Sequence, residues 1–168
     1  MAAWSFKWAT WTPVAVADAT NYTDNGYMGL MGGSTTQMGR ILEIYMGGQN
    51  AASAVMEMIF SRDSTVQATP TALTTGQSLA AFHPSTAALG APPVAFTAST
   101  TKPQRSATLG LLNLSFNAFG SVVKWYTGQE EYMAYLGNTA SIGEMSLSGY
   151  TGTAVGASIG AHIIFEPF

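Results

Sequence analysis

Every clearly patterned stretch of this chain repeats with period two. In residues 38–48, MGRILEIYMGG, Arg40, Leu42, Ile44 and Met46 share one face, and Ile41, Glu43 and Tyr45 share the other. Residues 54–63, AVMEMIFSRD, oppose Val55, Glu57 and Ile59 to Met56, Met58 and Phe60. Residues 106–120 set Leu112, Leu114 and Phe116 against Asn113 and Ser115, and residues 122–126 set Val123 and Trp125 against Lys124. The stretch SIGAHIIFEPF places Ile159, Ala161, Ile163 and Phe165 on one side. Successive side chains alternate across a strand, whereas a helix brings residues back to one face after three or four positions. With the shorter stretches EYMAYLGN and IGEMSLSGY, the pattern predicts roughly seven or eight strands and few helices. The expected fold is all-β: an antiparallel β-sandwich of the jelly-roll kind, two sheets around one apolar core.

The segments between these strands carry their own signals. Residues 47–53 are short and turn-rich, which predicts a hairpin joining 38–48 to 54–63. Residues 18–37 read as loop, with turn signals at Asp24-Asn25-Gly26 and Gly32-Gly33-Ser34. Their glycines lack the Gly-Lys-Ser/Thr ending of a phosphate loop. Residues 64–104 hold five of the seven prolines, Pro70, Pro84, Pro92, Pro93 and Pro103. They are expected to form a long mid-chain loop with a helical turn at Pro84–Leu89. Loops this long are uncommon unless they act, so this one either contacts a partner or packs over an end of the sandwich. Residues 1–12 carry three of the four tryptophans. Trp4, Phe6 and Trp8 alternate with Ser5 and Lys7, as an edge strand on its own core or as an N-terminal arm docked on a neighbouring subunit. The domain reading is an arm or edge strand at 1–20 and a single sandwich domain at 21–168.

Composition narrows the function. Only 9% of residues are charged and the net charge is −3, against about 25% charged in ordinary domains. Nucleic acid held by net charge is therefore not the main partner, and the scattered basic residues, closest at Lys102 and Arg105, agree. The chain has no cysteine, hence no disulfide framework, thiolate metal site or thiol nucleophile. No run of about 18 apolar residues is present to cross a membrane as a helix. The stretch ending in Phe168 does not continue an apolar lipid-facing series at Glu166 and His162, and the opening residues lack an export signal, so no membrane is expected.

No constellation carries catalysis. His83 and His162 have no second ligand at metal spacing. Glu43 and Glu57 sit singly in apolar strands and are expected to face solvent or to pair with Arg40 or Arg62. Gly156-Ala157-Ser158-Ile159-Gly160 matches a nucleophile elbow, but an elbow needs a helix after the serine and an acid later in the chain. Here a strand pattern follows. Glu130-Glu131 falls at a turn and lacks the further oxygen donors of a calcium loop. The nine methionines serve as core fill or as adaptable interface surface. The expectation is a non-enzyme with no catalytic residue, no metal and no cofactor.

The stretches MGRILEIYMGGQNAASAVMEMIFSRDST, PSTAALGAPPVAFTAST, LNLSFNAFGSVVKWY and LGNTASIGEMSLSGYTG, with AHIIFEP, together resemble small structural proteins of tailed bacteriophages, nearest to capsid cement (decoration) proteins. The resemblance spans residues 38–168 as a texture of segments. It implies a β-sandwich or jelly-roll body bound to the major capsid protein lattice on the outer surface of the virion. It also implies self-association, as a dimer or trimer at a symmetry axis. Trp4, Phe6, Trp8, Trp11, Phe82 and Phe96 are the expected protein-interface residues, chosen because clustered aromatic rings are costly to leave in water. The alternative from a different class is a carbohydrate-binding or host-attachment module of a phage. There, Tyr and Trp would stack on sugar rings while Asn and Thr hydrogen-bond them.

Overall fold

The alternating stretches are laid out as two six-stranded antiparallel sheets. The computed structural model describes residues 3–65, 68–73, 80–83, 91–128, 132–137, 143–154 and 156–168, and no α-helix occurs among them. In chain order the strands are β1 (Trp4–Trp11), β2 (Tyr27–Met31), β3 (Met38–Gly48), β4 (Val55–Thr65), β5 (Ala68–Ala72), β6 (Ala80–Ala81), β7 (Val94–Thr101), β8 (Gln104–Asn117), β9 (Val122–Tyr126), β10 (Ala134–Leu136), β11 (Met145–Gly149) and β12 (Ile159–Pro167). Sheet A runs β10-β3-β12-β1-β6, with β9 also paired to β3. Sheet B runs β5-β7-β2-β11-β4-β8.

The inward faces are the apolar faces of the alternation. Phe6, Ile41, Ile44, Met46, Ile163 and Phe165 of sheet A meet Met28, Leu30, Met56, Met58, Phe60, Met145 and Leu147 of sheet B in one buried cluster. Each large apolar side chain removed from water contributes roughly 1.5–3 kcal/mol. Phe165 sits at the centre of sheet A, edge-on to Phe6 at 6.0 Å and to Tyr135 at 5.9 Å.

A second, smaller cluster lies on the outer face of sheet B. Residues 12–26 leave sheet A after β1 and cross this face as a strap. Val16 N donates to Gly149 O (3.0 Å), Ala19 N to Arg105 O (3.2 Å), Tyr22 N to Pro103 O (3.0 Å) and Asn25 N to Thr97 O (2.7 Å). Beneath the strap Val16, Tyr22, Tyr27, Met31 and Phe96 pack together, with Tyr22 stacked on Tyr27 at 4.9 Å. Asn25 adopts φ +62°, a left-handed conformation that asparagine tolerates in turns.

Several local expectations give way. Residues 18–37 are not all loop, because β2 runs through them with every residue buried. The strands β3 and β4 do not form a hairpin: β3 pairs with β12, β9 and β10, and β4 pairs with β11 and β8. Their connection crosses from one sheet to the other. The 64–104 stretch supplies β5, β6 and β7, and the expected turn at Pro84–Leu89 lies outside the described residues. Arg40 pairs with Glu166 at 2.7 Å, not with Glu43.

Candidate functional site

The outer face of sheet A carries a groove whose floor is glycine. In the antiparallel register Lys124 of β9, Tyr45 of β3, His162 of β12 and Lys7 of β1 lie side by side across four strands. The adjacent row on the same face is Val122, Gly47 and Gly160. Two glycines in register remove the side chains that would fill the surface there. The result is an open depression of about 330 Å³ lined by Lys7, Trp8, Tyr45, Gln49, Val122 and His162 among others. A Cβ on Gly47 would meet nothing nearer than 3.9 Å.

The rim is polar. Lys124 Nζ lies 3.0 Å from Glu43 Oε2 and 4.6 Å above the Tyr45 ring. The Tyr45 hydroxyl also donates to Glu43. That hydrogen bond, followed by Lys124, holds the Glu43 carboxyl below its ordinary pKa. Burial, then the charge of Lys7, lowers the His162 pKa, so its imidazole is neutral at pH 7. His162 Nε2 is buried with no hydrogen-bond partner among the described residues. A neutral imidazole, a phenol ring and two ammonium groups around a shallow floor suit stacking and hydrogen bonding.

Exposed apolar side chains gather elsewhere. Val55, Phe119 and Val122 are 61%, 61% and 76% exposed. Val55 lies opposite Asn117 at the end of β8, Phe119 is in the turn that follows, and Val122 starts β9. These three therefore share one end of the molecule. Tyr126 is also exposed, but it lies at the other end of β9, beyond Lys124. A second group, Met38, Leu136 and Phe168, is joined by the Met38–Leu136 pairing and by reciprocal backbone bonds between Met38 and Phe168.

The expected interface residues divide. Phe6 and Trp11 are buried in the main core, and Trp11 Nε1 donates to Asn25 O at 3.1 Å. Phe96 is buried under the strap, 5.9 Å from Tyr27. These three hold their own chain together, Phe6 and Trp11 in the core between the sheets and Phe96 beneath the strap on the outer face of sheet B. Trp4 and Trp8 are half-buried against the core. Trp8 stacks on Trp11 at 5.5 Å and lines the groove. Phe82 alone of the six is openly exposed, at 56%. β1 is built into sheet A, paired with β12 along its length and with β6 at Trp4 and Ser5.

The other motifs resolve simply. Ser158 has a buried hydroxyl and stands before a strand rather than a helix. Glu130-Glu131 lies outside the described residues. Among the described residues no three His, Asp or Glu side chains are grouped to hold a metal ion.

A closed polar cluster under the strap had no counterpart in the sequence pattern. Asp63, Ser61, Arg105, Glu144, Ser146 and Ser148 are all buried. Arg105 donates to Val16 O (2.6 Å), to Gly149 O (3.0 Å) and to the Ser148 hydroxyl (2.5 Å). Its Nη1 lies 3.6 Å from Asp18, and the guanidinium sits over the Tyr150 ring at 5.1 Å. Ser146 Oγ donates to Asp63 Oδ2 at 2.6 Å. Burial raises the Asp63 pKa well above its ordinary value, and Glu144 adds to the effect. The cluster rivets the strap to sheet B. Arg62-Asp63-Ser64 looks like an ordinary polar strand end in sequence, so only the strap itself could have signalled it.

A scan against protein-family models finds no match, and a search of curated proteins finds no significant similarity.

Proposed function

We propose that this chain is a structural virion protein, a capsid cement (decoration) protein of a tailed bacteriophage. It would bind and stabilise the major capsid protein lattice at the outer capsid surface, through a body of jelly-roll type. The observation that carries this is the apolar end formed by Val55, Phe119 and Val122. Burying such side chains against another polypeptide gains roughly 1.5–3 kcal/mol each, less the ordering costs of association. A symmetric lattice multiplies modest contacts by avidity. Low surface charge keeps the desolvation penalty small. Phe82 is the expected interface aromatic that remains available to a partner.

The test is the composition of purified particles. The chain should be present in fixed ratio to the shell protein, and its absence from particles refutes the proposal. A double variant, F119S/V122K, should fold normally and lose particle binding at least tenfold.

The groove on sheet A favours a second function, carbohydrate binding or host attachment. Tyr45 and Trp8 supply rings, and Lys7, Gln49 and His162 supply hydrogen-bonding groups around the glycine floor. Glycan binding by the isolated protein, lost in Y45A, would support it. No binding to a broad glycan array would remove it.

A further inference from the structure

The flank of the sandwich along β8 and β9 is incompletely closed. β8 is the outermost strand of sheet B. Its inward residues Leu112, Leu114 and Phe116, with Val123 and Trp125 of β9, are only half-buried although they pack on the core. Among the described residues the chain caps this edge at one end only: the strap's Ala19 and Tyr22 amides bond to Arg105 O and Pro103 O. A register irregularity separates Phe60↔Leu112 from Ser61↔Gly110, so the regular stretch of the edge is Leu112–Asn117. Natural edges are usually guarded by Lys, Pro or inward-pointing charge. From Ser106 to Asn117 the sequence contains no charged residue and no proline.

We propose that the β8 edge is a homodimer interface, in which two copies pair antiparallel about a two-fold axis at Leu114. Residues directly opposite in an antiparallel pair share a face. Of the self-pairings, the one centred on Leu114 places Leu114 against Leu114, Leu112 against Phe116, and Asn113 against Ser115. Apolar side chains then meet apolar ones over the open core, and amide meets hydroxyl on the outer face. No charge opposes a charge, so the strand is complementary to itself. An isologous contact of this kind closes at two copies. Five or six residues at about 3.4 Å rise, across two sheets about 10 Å apart with their side chains, bury roughly 400 Å² per copy. That is about 800 Å² in total, below the roughly 1,200–2,000 Å² of stable specific interfaces and in the range of weak, transient ones. The dimer is therefore weak and concentration-dependent in solution.

The experiment is sedimentation equilibrium of the whole chain from about 1 µM to about 1 mM, a range that spans weak to moderate dimers. It is combined with hydrogen exchange of the β8 amides. Wild-type mass should rise from monomer towards dimer, with protection at residues 112–116 rising in parallel. N113K/S115K places Lys opposite Lys twice and should lower association at least tenfold with an unchanged circular dichroism spectrum. N113E/S115E should do the same, and mixing the two variants should restore a heterodimer. A wild-type monomer throughout the range overturns the proposal. So does an oligomer indifferent to N113K/S115K, or a mixture of the two variants that stays monomeric. The proposal does not rest on the virion reading: a monomer bound to particles would overturn it and leave that reading standing.

Discussion

Replacing Asp63 by asparagine separates the cost of burying a carboxylate from the value of its hydrogen bond. The side chain is wholly buried and accepts from Ser146 Oγ at 2.6 Å. Asp63 lies opposite Arg105 in the β4–β8 register, yet the guanidinium bonds to Val16 O, Gly149 O and Ser148. Burial, then Ser146 in opposition and Glu144 in support, leaves the folded-state pKa well above the ordinary value. The folded protein therefore holds a proton that the unfolded chain releases above a pKa of about 3.9. Because the native state binds more protons, stability conferred by neutral Asp63 is complete below that value. It falls by up to about 1.4 kcal/mol per pH unit until the folded pKa is passed. The carboxamide introduced by D63N can accept the same hydrogen bond and never ionises. At pH 3 to 4 the two proteins should differ by no more than about 1.5 kcal/mol, the scale of one hydrogen bond. From there to neutral pH, D63N should gain steadily on wild type. Urea unfolding across the pH range measures this. The difference between the two curves cancels the carboxylates whose pKa values are lowered, such as Glu43 and Asp24. If D63N instead loses ground as pH rises, Asp63 is ionised and paired with Arg105, and the assignment fails.

Three comparisons test the packing. Trp11→Ala should cost about 3–5 kcal/mol, as for other fully buried aromatics, whereas Phe82→Ala should stay within about 0.5 kcal/mol as an exposed change; denaturant midpoints decide both. Gly48→Ala should destabilise by about 1–3 kcal/mol or more, because its Cβ would lie 2.1 Å from the Ala118 carbonyl oxygen. Gly47→Ala, with 3.9 Å of room, should be nearly silent in the same melt. Ala19→Gly should raise the melting temperature, because Ala19 is held at φ +58°, a conformation that costs a non-glycine residue about 1–2 kcal/mol.

Period two exposed the strands whose two faces differ. β4 alternates in burial as its sequence does over Val55–Phe60, whereas in β3 a register shift opposite Ile41–Glu43 moves Ile41 onto the core face with Ile44 and Met46 and leaves Leu42 half-buried. β2 and β11 escaped or looked weak because both of their faces are covered, by the core on one side and the strap on the other, and every residue is buried. Alternation says which face is apolar but not which sheet a strand joins, so the turn-rich link at residues 47–53 resembled a hairpin while the chain there crosses between sheets. The groove unites residues 7, 45, 124 and 162, which only the strand register brings together. Trp8 was legible as an aromatic of interest. Tyr45 and His162 were not, since a tyrosine and a histidine at outward strand positions carry no signal alone.

The pairing of β1 with β12, Trp4 opposite Phe165, sets a timetable for assembly. Among the described residues, β1 has no long neighbour until residues 159–167 have been synthesised. Contacts so distant along the chain are slow to form. Throughout that wait Trp4, Phe6, Trp8 and Trp11 have no core to enter, and such exposed apolar surface invites aggregation. The nascent chain is thus vulnerable at β1 until β12 is made, and a chaperone that binds aromatic-rich segments would find its target there.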